Sequence, residues 1–151
     1  MLRSIAAGLA LAVAGSANGQ QILPDLSTTA PANGVWTYRA TSDGSEAMFS
    51  VANAPQVVLH CTRATRRVSV AKAATAAAPL LSVWTSSGTR SLPAGFTPAT
   101  NRLTAIVPAF DPVLDAIAFS RGRVGFVVAG TPALVVPDFA EIDRVVEDCR
   151  G

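Results

Sequence analysis

Side chains that commonly carry chemistry are scarce in this chain of 151 residues: His60 is its only histidine, Cys61 and Cys149 its only cysteines, and Lys72 its only lysine. Two cysteines and one histidine cannot assemble the usual four-ligand zinc site of thiolates and imidazoles. With one imidazole and no Gly-x-Ser-x-Gly elbow, a serine triad would have to be built around His60 alone. Neither a phosphate loop nor a dinucleotide fingerprint occurs, so no cofactor is expected. Charged residues are only 15% of the chain and the formal net charge is +2, which gives no reason to expect nucleic acid as a partner. No apolar run is long enough to span a bilayer. Aromatics are 6% of the chain and alanine swells the apolar half, so Val, Leu and Ile must build most of the core. That half is still large enough to exclude intrinsic disorder, and the length suits one domain.

What the sequence does contain begins with an export pattern. Arg3 is followed by the short apolar run Ile5–Ala14 and the small-residue segment Gly15–Gly19, the order of a secretory signal. Residues 1–19 are expected to be a signal peptide cut after Ala17 or after Gly19, and no cysteine near that point offers a lipid anchor. A periplasmic or secreted address follows, with no transmembrane segment in the mature protein. In that oxidising compartment Cys61 and Cys149 are expected to pair. Closing so long a loop is worth about 4–5 kcal/mol in the chain-entropy model.

Residues 20–34, with two prolines and no sustained periodicity, read as a flexible or extended arm, and 35–150 as a single β-rich domain. Alternation over 35–41 and 46–52 around Asp43–Gly44 predicts a hairpin. A strand follows at 56–62, with Cys61 facing the core, then a basic turn at Arg63–Arg67 and a strand from Val68. The alanine-rich 71–78 reads as a loop with about one helical turn, limited by Pro79. A second hairpin is expected around Ser87–Gly88, an irregular stretch over 93–100, and strands at 102–107, 123–128 and 133–136. Asp111 and Pro112 predict a helix start, and Gly122 its end. The terminal helix has a capping-box pair in Asp138 and Glu141, with Ile142, Val145, Val146 and Cys149 on one face. The fold class is therefore α+β: an antiparallel sheet or small β-sandwich of roughly six to eight strands, a short helix, and a C-terminal helix tied by the disulfide.

The blocks Leu59–Cys61, Thr85–Pro93, Asp111–Arg123, Ala133–Pro137 and Arg144–Arg150 resemble those of a group of small exported bacterial proteins over residues 35–150. More distantly, the order of tryptophan strand, hairpin, strand ending in cysteine and late helix–strand–helix ending in cysteine is similar to the type VI secretion accessory and invasion-associated B families. The resemblance implies a β-rich periplasmic module and carries over no catalytic residue.

Four candidate features remain. His60 could act as a base only if a hydroxyl approaches it, and is otherwise a rim histidine. Asp111 and Asp115, four apart on a helix, have the spacing of an acid/base pair, but one also suits a cap and the other a solvated face. Arg63, Arg66 and Arg67 in one turn, and Arg121 and Arg123 around Gly122, could each clasp carboxylate or phosphate, unless Asp111, Asp115 or Glu147 neutralises them. The glycine turn of the second cluster could add backbone N–H groups. Residues 86–96 form a candidate exposed loop. The leading expectation is a non-enzymatic binding module of the cell envelope, with an envelope protein or anionic envelope polymer as partner. The alternatives are a small periplasmic hydrolase using His60 and an inhibitor of a periplasmic hydrolase.

Overall fold

Apolar residues at every second position need a partner layer on one side only, and most of the chain from Val35 to Pro108 satisfies that requirement as antiparallel strands. The computed structural model describes residues 23–151, so the expected signal peptide at 1–19 lies outside the described residues. The elements are β1 (Val35–Ala40), β2 (Gly44–Val51), β3 (Ala54–Thr62), β4 (Arg67–Ala73), β5 (Leu80–Thr85), β6 (Gly88–Pro93), β7 (Gly95–Thr97), β8 (Arg102–Pro108), α1 (Pro112–Ala118), β9 (Val124–Val127), β10 (Leu134–Val136) and α2 (Ala140–Arg150). They build one six-stranded sheet, ordered β1-β2-β3-β4-β8-β7, and one four-stranded sheet, ordered β10-β9-β5-β6. All the pairings are antiparallel.

The larger sheet turns Trp36, Phe49, Val57, Leu59, Cys61, Val68, Val70, Leu103 and Ala105 inward, where they join one core with Leu81, Val83 and Phe126 of the smaller sheet. Helix α2 packs on β1 to β4, and β5 and β6 meet β8, so helix and small sheet together cover that face. Ile142, Val145, Val146 and Cys149 are the buried stripe of α2, as their spacing predicts. Cys149 is bonded to Cys61 with 5.5 Å between Cα atoms and a sequence separation of 88. Two hydrogen bonds reinforce the seat. The Trp36 indole donates to the Pro137 carbonyl at 2.9 Å, and the Tyr38 hydroxyl to the Asp148 carboxylate at 2.5 Å. That bond raises the Tyr38 phenol above its ordinary value and holds the Asp148 carboxyl below its own.

The hairpin at Asp43–Gly44 forms as expected, and its glycine is required by space. A Cβ on Gly44 would collide with the Cys61 carbonyl of β3. Three other expectations change. The alanine tract starts as strand, because β4 runs on to Ala73 along β8 and sheet hydrogen bonds outweigh the helical preference of isolated alanines. The stretch 93–100 contains β7, where the chain crosses from the small sheet to the edge of the large one. Finally, the strands number ten among the described residues. The arm is extended but docked from residue 23 on: Leu26 is buried against Val127 and Val135, and Ala32 N–H donates to Val135 O at 2.8 Å.

At α1 the expected start holds, since the Asp111 carboxylate accepts from Val113 N–H at 2.9 Å with Pro112 in the first turn, but the helix ends at Ala118, four residues before the expected Gly122. At α2 it fails. The cap residue is Phe139 without a side-chain bond, and Asp138 Oδ1 is buried with no hydrogen-bond partner among the described residues. Burial, with the Asp143 carboxylate nearby, pushes Asp138 up to about 6. Between its ordinary value and that one, the folded chain holds a proton the unfolded chain has released, so this group favours folding as pH falls through the window and opposes it above. Asp138→Asn is expected to add about 1 kcal/mol at pH 7, solvent screening included, and nothing at pH 4. Urea unfolding of both chains at the two pH values checks this, and an equal difference at both would refute it.

Candidate functional site

Strand parity decides where His60 goes. Leu59 and Cys61 face the core, so the imidazole lies on the outer face of the large sheet, in register with Glu46 of β2 and Ser69 of β4. Its Nε2 is 3.0 Å from Asp43 Oδ2 and its Nδ1 3.8 Å from Glu46 Oε2, while Arg39 pairs with the same Glu46 at 2.7 Å. The Thr41 hydroxyl, and after it His60, hold the Asp43 carboxyl below its ordinary value. A base that activates a nucleophile needs one nitrogen facing a hydroxyl. Here both nitrogens face carboxylates.

The two aspartates of α1 are drawn apart. Asp111 binds Arg90 through both carboxylate oxygens, and Asp115 pairs with Arg150 of α2 at 2.7 Å. Glu147 lies 3.8 Å from the same guanidinium. These pairs matter for the arginine clusters, because Asp111, Asp115 and Glu147 face other arginines; Asp148, bonded to Tyr38, is the carboxylate that feels the charge of Arg63.

Arg63, Arg66 and Arg67 occupy the turn between β3 and β4, and all three are exposed. The turn is fixed by its backbone: one 3-10 turn over Arg63–Thr65, then Arg66 at φ 50° in the left-handed region. Arg63 N–H donates to Asp43 O and Ala109 N–H to Arg66 O, both at 2.9 Å. Among the described residues none of the three side chains forms an ion pair. In the second cluster Arg123 is committed internally, while the exposed Arg121 side chain forms no hydrogen bond or ion pair among the described residues. Arg123 donates to Thr29 O at 2.5 Å, tying down the arm, and the N–H groups of Arg121 and Gly122 go to Ser86 Oγ and Ser120 O. The expected backbone anion cradle at Gly122 is therefore not formed; those donors already have acceptors. Nor is 86–96 a free loop, since most of it is strand β6 and the start of β7.

A feature not singled out from the sequence lies at the far end of β4. Lys72 shares the inward parity of Val68 and Val70 and is only 9% exposed. Its ammonium donates to Ala73 O at 3.2 Å, and burial alone pushes its pKa down. It lines a cleft of about 510 Å³ with Gln56 of β3, Asn101 before β8, and Thr131 and Pro132 between β9 and β10. The parity of the only lysine was the available signal. Among the described residues no three His, Cys, Asp or Glu side chains gather as metal ligands, and no helix is long and apolar enough to cross a membrane.

These features define a disulfide-closed α+β domain of two antiparallel sheets, with an exposed arginine turn at the cross-linked end and a lysine-bearing cleft at the other. No family model matches the chain, and neither a curated protein nor a solved structure matches it.

Proposed function

We propose that the chain is a non-enzymatic, exported binding module of the cell envelope whose contact surface for an anionic partner is the turn carrying Arg63, Arg66 and Arg67. The observation that carries this reading is the exposed display of three guanidinium groups on a turn of fixed backbone, none of them in an ion pair among the described residues, with Asp111 and Asp115 held by Arg90 and Arg150. Guanidinium forks suit carboxylate and phosphate groups, and a preformed turn loses little freedom on binding. The export pattern at the amino terminus, a disulfide made where thiols are oxidised, and the resemblance to small exported bacterial proteins support the address. The pairing of His60 with two carboxylates favours binding over hydrolysis.

The test is a pull-down from an envelope fraction at low and at high salt, with the parent chain and an Arg63→Gln, Arg66→Gln, Arg67→Gln variant. Retention by the parent at low salt, weakened by salt and cut roughly tenfold or more in the variant, is the expected result. No retained partner in either salt condition would refute the reading, as would equal retention by the variant.

A further inference from the structure

Burying an ammonium group is costly unless an opposite charge or several acceptors replace its water. Among the described residues Lys72 has neither. One backbone carbonyl accepts from it, no carboxylate lies within ion-pair distance among the described residues, and two of its three N–H donors have no protein acceptor. Water in the open cleft can answer that charge only with mobile dipoles, whereas a ligand carboxylate would supply a fixed counter-charge, so the position favours an anionic ligand. The cleft is of the size that takes a small metabolite. Its other polar side chains are neutral: the amides of Gln56 and Asn101 and the hydroxyls of Thr75 and Thr131, the last already donating to Val128 O at 2.9 Å. The Asn101 amide makes no side-chain hydrogen bond among the described residues, and Gln56 uses only its Nε2, on Ala54 O at 3.2 Å. Arg102, in register with Ala73, has the opposite parity to Lys72 and does not line the cleft, so Lys72 is the one cation among its lining residues.

We propose that this cleft is a binding site for a small polyhydroxylated monocarboxylate of the sugar-acid class, its carboxylate held by the Lys72 ammonium and its hydroxyls by the amides of Gln56 and Asn101. One buried cation matches one negative charge. Amides, which donate and accept at once, match hydroxyl groups, which do the same. The site is four residues along β3 from Cys61 in register terms, about 13 Å at the rise of a strand, and is independent of the arginine turn.

The experiment compares glucuronate with glucose, which differ in a carboxylate against a hydroxymethyl group. Binding to the full chain is followed by amide chemical shifts. Saturable shifts at Ala73, Ala74 and Thr131 with glucuronate, absent with glucose, are expected. Lys72→Met, which keeps the length of the stem and removes the charge, should weaken glucuronate about tenfold or more. Asn101→Gly suits the left-handed backbone there, at φ 50°, and should weaken it several-fold, so a poorly folded lysine variant does not shield the proposal. No saturable shift, an equal response to glucose, or undiminished binding in either variant overturns the assignment.

Discussion

A Cys61→Ala, Cys149→Ala double variant is expected to unfold about 4 kcal/mol more easily than the parent chain, with a melting temperature lower by roughly 15 °C. Both sulfurs are fully buried, and the bridge closes a loop of 88 residues, so its removal frees the unfolded chain far more than it loosens local contacts. Helix α2 still has its apolar stripe and the Tyr38 and Trp36 bonds, so the variant folds but with a thin margin, since whole domains of this size are stable by only about 5–15 kcal/mol. Urea titration followed by circular dichroism measures the loss. A difference below about 1 kcal/mol would mean that the cross-link contributes little. Thiol counting on natively purified protein gives the complementary result: no free sulfhydryl, because no cysteine is left unpaired.

The other large effect belongs to the core. Phe49→Ala is expected to cost about 3–5 kcal/mol. Phe49 is fully buried, lies 5.4 Å from the Trp36 ring, and sits so close to Gly34 that a Cβ there would strike its ring. Trimming it leaves a hole that no side chain at 34 can fill, while the rigid indole is held by the Pro137 carbonyl. Phe139→Ala is the matched control. Its ring is 52% exposed, and its loss should change stability by no more than about 0.5 kcal/mol. Similar losses from the two substitutions would contradict the placement of the core.

Local signals account for what could be read beforehand. Alternation with Asp43–Gly44 located the first hairpin, Asp111–Pro112 located a helix start, and the spacing of Ile142, Val145, Val146 and Cys149 oriented α2 toward its cysteine partner. Pairings between distant strands, β4 with β8 and β5 with β9, leave no trace in periodicity. The alanine tract was misjudged for that reason: β8 supplies the edge that makes Ala71–Ala73 a strand. The same distinction separates the two arginine clusters. The turn at Arg63, Arg66 and Arg67 is built from adjacent residues and was legible as an exposed basic loop. Arg123 depends on a carbonyl 94 positions away, which no local pattern reports. Lys72 was overlooked because a lone lysine is ordinarily a surface residue, and only the parity of the whole strand places it inside.

The seat of α2 joins the first strand to the last helix: Trp36 reaches Pro137 over 101 positions and Tyr38 reaches Asp148 over 110. Synthesis makes these partners about a hundred residues apart, so a polypeptide that has not yet reached Pro137 and Asp148 holds half of each clasp with nothing to grip. Native closure must therefore wait until Asp148 has been translated, and a chaperone acting earlier handles a pliable thread rather than a finished body.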